Sequence, residues 1–115
     1  MNKIKNKIIF TLGVISFAFS TSALANTETA TVIQVEKNCK HYIAKSSSGF
    51  HVVGAINHNA PAKDTQLVGD FSNKGFKDMQ IGPDKTPIYM ELSFIKLNTL
   101  SQAEMELEFK CMESR

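Results

Sequence analysis

Three histidines, a serine triplet and a few aspartates are the residues of this 115-residue chain whose types could do chemistry. His41, His51 and His58 would hold a metal only by converging with carboxylates, and none stands in a motif such as H-x-x-x-H on a helix. His41 and His51 could approach across a hairpin, but with no ligand spacing around them they are read as surface or half-buried side chains. No metal or other cofactor is expected. Ser46, Ser47 and Ser48 lack the G-x-S-x-G elbow of a nucleophilic serine, no acid partner is evident for the histidines, and the triplet is read as a loop. Asp64, Asp70, Asp78 and Asp84 supply carboxylates, but hydrolysis by a carboxylate pair demands a fixed separation, and Asp70 and Asp78 are assigned to turns. The set contains no catalytic constellation, and the chain is read as a non-enzyme.

Cys39 and Cys111 are the only two cysteines, too far apart for a C-x-x-C redox pair and too few for a zinc site. They are expected to form a structural disulfide, which on the chain-entropy argument adds about 4 kcal/mol for a loop of this length. That expectation rests on compartment. Lys3, Lys5 and Lys7 precede an apolar stretch at 8–19 and an Ala23-Leu24-Ala25 cleavage site, the layout of a bacterial secretory signal peptide. The apolar stretch is shorter than the ~20 residues of a membrane span, and no cysteine follows Ala25 to take a lipid. Residues 26–115 are therefore expected to form one small soluble domain in the periplasm or outside the cell, a monomer with no membrane span. Without the three signal lysines, 10 basic residues face 11 acidic ones. This near-neutral balance speaks against nucleic acid as a partner, because phosphate contacts demand a basic surface.

The elements that would position these groups are mostly strands. Residues 29–36 are β-branched-rich, with Thr31, Ile33 and Val35 on one face and Val32 on the other; 41–45 and 50–56 form a hairpin about the serine-glycine turn. Residues 65–71 read as a fourth strand with a bend at Gly69, and 76–81 as a short strand or coil. Ile88, Met90, Leu92 and Phe94 alternate with polar neighbours as in a strand covered on one face. For residues 102–112 two readings compete. Ser101 with Glu104 fits a capping box and the composition favours helix, but Ala103, Met105, Leu107, Phe109 and Cys111 alternate without a break with polar residues. A helix would carry apolar side chains on both faces, so a strand paired with 88–97 is preferred. The glutamates at 104, 106 and 108 would then protect an outer edge or face a basic partner.

The fold expected is all-β: a small five- to six-stranded antiparallel barrel or sandwich, with a short C-terminal helix as the variant. The run TATVIQVE, HYIAKSSSGFHVVGAI, a loop containing Pro61, and DTQLVGDF resembles the first strands of a small bacterial exported OB-type barrel. That resemblance implies binding of an oligonucleotide, oligosaccharide or protein on one sheet face. The function expected is a non-enzymatic binding module of the bacterial cell envelope that recognises a protein or glycan. The strand face near Tyr42, Phe50 and His51, with Asn57, His58 and Asn59 in the following loop, is its candidate binding surface. The alternative is a secreted inhibitor or immunity-type protein acting through the 57–63 loop.

Overall fold

A computed structural model describes residues 27–113, so the signal-peptide reading of residues 1–25 lies outside the described residues. Among the described residues six strands, β1 (Thr27–Val35), β2 (His41–Ser46), β3 (Gly49–Ala55), β4 (Gln66–Asp70), β5 (Gly75–Ile81) and β6 (Thr86–Leu97), precede one helix, α1 (Leu100–Glu113). The strands close into a barrel in the order β1-β2-β3-β6-β5-β4, and every pairing is antiparallel. Two three-stranded meanders are thus sewn together by β1–β4 on one side and β3–β6 on the other.

Because β3 and β4 are not neighbours, the chain between them must cross a barrel mouth. Val32 N–H donates to Thr65 O and Asp64 N–H to Val32 O, both at 2.8 Å, tying the end of this crossover to β1. Ala60 packs against the barrel core. The 57–63 loop therefore has a part in closing the core, and the β3–β4 connection carries no helix, the element an OB-type barrel places there.

Strand alternation selects the interior: Ala30, Val32, Tyr42, Ala44, Val53, Ala55, Leu67, Met79, Ile88, Met90 and Leu92 form one buried cluster with Phe71. Burial of each larger side chain contributes about 1.5–3 kcal/mol. The period of two holds along β6 only to Leu92. β3 pairs Val53 with Leu92 but Val52 with Phe94, so Ser93 is an extra residue that turns Phe94 outward. A second slip follows before Leu97, where Lys96 adopts a left-handed φ of 56°. In β1 a similar slip between Val32 and Gln34 leaves Ile33 outside the barrel cluster, so Thr31, Ile33 and Val35 do not share a buried face.

The strand preferred for residues 102–112 is corrected to helix. Two physical causes decide it. A closed barrel offers no edge to a seventh strand. The start is capped by Thr99, whose Oγ1 accepts the Gln102 N–H at 3.1 Å while Gln102 Oε1 accepts the N–H groups of Asn98 and Thr99 at 3.1 and 3.3 Å. This is a capping box two residues ahead of the expected Ser101–Glu104 pair. Ala103, Leu107 and Cys111, spaced four apart, face the barrel and pack with Ile43, Val52 and Cys39 into a second cluster outside the sheet, with Phe50 and Phe94 against it. Cys39 and Cys111 are bonded, with Cα atoms 5.3 Å apart, and fasten the helix to the β1–β2 turn.

Gly69 marks a close approach inside the barrel, because a Cβ there would lie 2.6 Å from Met79 Cγ. Gly69→Ala is expected to cost about 1–3 kcal/mol by overpacking. Urea titration should show the loss partly relieved in the Gly69→Ala/Met79→Ala double variant. Strictly additive costs would show that the two sites do not compete for space.

Candidate functional site

One set of serine, histidine and carboxylate side chains comes together, at the barrel mouth where β2 turns into β3. Alternation along β3 points His51 inward, fully buried, its ring stacked on Phe71 with centroids 4.6 Å apart. His51 Nε2 lies 2.7 Å from Ser46 Oγ, Ser46 Oγ lies 3.0 Å from Ser48 Oγ, and Ser48 O–H donates to Glu28 Oε1 at 3.0 Å. The sequence hid this acid partner because Glu28 reaches the pair from β1, across the barrel mouth.

The hydrogen-bond direction decides what the group can do. Lys96 N–H donates to His51 Nδ1 at 3.1 Å. The neutral imidazole must then carry its proton on Nε2 and donate it to Ser46 Oγ. A general base needs the reverse, with a bare Nε2 facing the hydroxyl and the acid on Nδ1. Burial pushes the His51 pKa down to about 4, and Ser46 is also buried, so the hydroxyl bonded to the imidazole is not offered to solvent. Hydrogen bonds, foremost from the Ser46 hydroxyl, hold the Glu28 carboxyl below its ordinary value. The network ties β1, the β2–β3 hairpin and the strained Lys96 backbone together.

The other histidines do not join it. His41 lies outside the barrel against Gly54, where a Cβ would come 2.9 Å from its Nε2. Both His41 ring nitrogens are buried with no hydrogen-bond partner among the described residues, and burial lowers its pKa. His41 and His51 thus occupy opposite faces of the sheet. Among the described residues no group of three or more His, Cys, Asp or Glu could hold a metal ion.

The expected strand-face site also divides. Tyr42 is fully buried, with its hydroxyl 3.4 Å from His58 Nε2, and burial raises its pKa. Phe50 points the other way, against the helix-side cluster, with Lys45 Nζ 5.6 Å from its ring centroid. Tyr42, Phe50 and His51 therefore form no common surface. Asn57 and Asn59 are exposed and His58 half-buried at the start of the crossover. Burial lowers the His58 pKa, with the positive charge of Lys40 adding to it.

What Asn57 joins is an aromatic pair on the outer face of β5–β6. Asn57 Oδ1 accepts the Tyr89 N–H at 3.0 Å. Tyr89 is 38% and Phe76 60% exposed, and their rings lie nearly parallel at 14° with centroids 6.0 Å apart. Asp78 pairs with Tyr89 and Glu91 with Phe76 across the strands, so carboxylates flank the rings. The signal for this pair was available: both aromatics stand out of phase with the inward residues Met79, Ile88 and Met90. Among the described residues no helix is long and apolar enough to cross a membrane. Comparison with protein-family models, curated proteins and solved structures finds no match.

Proposed function

We propose that this chain is a non-enzymatic, exported binding module of the bacterial cell envelope that takes a glycan on the outer β5–β6 face. The observation that carries this reading is the exposed, near-parallel Phe76–Tyr89 pair bordered by Asp78, Glu91 and Asn57. The C–H face of a pyranose is apolar and slightly positive and stacks on the negative face of an aromatic ring. Carboxylates and an amide beside the rings hydrogen-bond the ring hydroxyls and fix orientation. Export is supported by the signal-like residues 1–25 and by the disulfide. The inhibitory-loop alternative draws less support, because the 57–63 segment is packed on the core through Ala60 and is followed directly by Asp64 and Thr65, which are bonded to β1.

Titration of the protein with soluble peptidoglycan fragments and with cello-oligosaccharides, followed by NMR, tests this reading. Chemical shifts at Phe76, Tyr89 and Asn57 should move together, and Phe76→Ala or Tyr89→Ala should weaken binding about tenfold, the upper range for one aromatic contact. Binding unaffected by both substitutions, or no binding of any glycan, would overturn it.

A further inference from the structure

We propose that the outward side of α1, with the adjoining end of β1, docks a cationic amphipathic segment of a partner protein. Met105, Phe109 and Met112 recur at helical spacing on the side opposite Ala103, Leu107 and Cys111. They are 58%, 58% and 59% exposed, a continuous apolar stripe that the barrel leaves uncovered. Together with Glu108 they line a groove of about 220 Å³. Such a groove suits a large apolar side chain, and methionines adapt their shape to what they meet.

Beside this groove lies a second pocket, of about 280 Å³, into which Glu36, Glu104 and Glu108 bring three carboxylates. Glu108 borders both. An apolar slot and an acidic slot share one wall, and a helical segment bearing a large apolar residue next to Lys or Arg satisfies the two at once. The carboxylates are too dispersed for a metal ion, since no metal-holding group occurs among the described residues. A guanidinium or ammonium on a flexible side chain spans such a spacing.

The charge also argues against other occupants. α1 carries four glutamates and one cation, Lys110, which lies 3.7 Å from Glu113. A second copy would bring like charges together, and an anionic lipid surface would be repelled. This proposal is independent of the glycan-binding reading, because the two surfaces share no residue.

The test is calorimetric titration of the full domain with a synthetic Lys/Leu amphipathic helical peptide, beside a scrambled peptide of the same composition. The amphipathic peptide should bind at least about tenfold more tightly than the scrambled one. Phe109→Ser should weaken it by about tenfold or more. The Glu36→Gln/Glu108→Gln pair should weaken it and flatten its dependence on salt. Glu108 and Phe109 are exposed, and Glu36→Gln keeps an oxygen that can accept from Gln34 Nε2, so the thermal midpoint should be unchanged, which separates lost binding from lost fold. Equal binding of the two peptides, or full affinity in Phe109→Ser, would sink the proposal. So would equal binding to phosphatidylglycerol vesicles, which would make the stripe a lipid contact. Self-association abolished by Phe109→Ser would likewise overturn it in favour of a second copy.

Discussion

Replacing Cys39 and Cys111 with serine should remove about 4 kcal/mol of stability, the cost of reopening a loop closed over a sequence separation of 72 residues. The loss should also be uneven. α1 makes no strand pairing with the barrel and is held by the small cluster of Ala103, Leu107 and Cys111 on Ile43 and Val52. Without the bond, the helix is the part that leaves first, uncovering apolar residues on the outer face of β2 and β3. Thermal melts with and without reductant should therefore separate by many degrees. Amide exchange should speed up along 100–113 before it does along the strands. Coincident melts, or uniform exchange across the chain, would mean that helix docking does not need the bond.

The second large effect is expected at His51. Truncation to alanine removes a buried ring stacked on Phe71 and leaves Ser46 Oγ and the Lys96 N–H without their partner. Cavity and unpaired groups together should cost about 3–5 kcal/mol in urea titrations. The same residue gives stability a pH dependence whose sign is fixed. His51 titrates at about 4 in the folded chain and near its ordinary 6.5 when unfolded, so between those values the unfolded chain binds more protons. Stability is whole above about pH 6.5 and falls as the pH drops toward 4. His41 and His58 are lowered too and slope the same way. His51→Ala should lose the steepest part of that slope. A variant that retained it in full would place the titrating group elsewhere.

The barrel was legible in the sequence because strands advertise themselves by period. Ile88, Met90 and Leu92 alternate in sequence and line the interior in space. The disulfide was legible from arithmetic on two cysteines. The terminal helix was not, because Met105 and Phe109, in phase with Ala103 and Leu107 on a strand, mimic a period of two while actually facing solvent. Thr99 and Gln102 held the deciding local signal, and closure of the barrel removed the edge that a further strand would need. The polar network at His51 was hidden for a different reason. Its members lie on three separate segments, and the Lys96 N–H that sets its proton direction belongs to a bulge that no side-chain pattern announces. Tyr42 belongs to the expected binding face, yet its position on the inward phase of β2 places it in the core.

The seam that joins the two meanders also governs how the chain reaches its native state. Hairpins within β1–β2–β3 and β4–β5–β6 need only neighbouring segments and form locally. β1 must then find β4, and β3 must find β6, across long stretches of intervening chain. Closure of such distant contacts is entropically expensive until both meanders exist, so the folding rate is set by their meeting, on the slow millisecond-to-second scale of all-β topologies. Because α1 follows β6, the native approach of Cys111 to Cys39 depends on that seam, and their bond acts as a latch across the closed barrel.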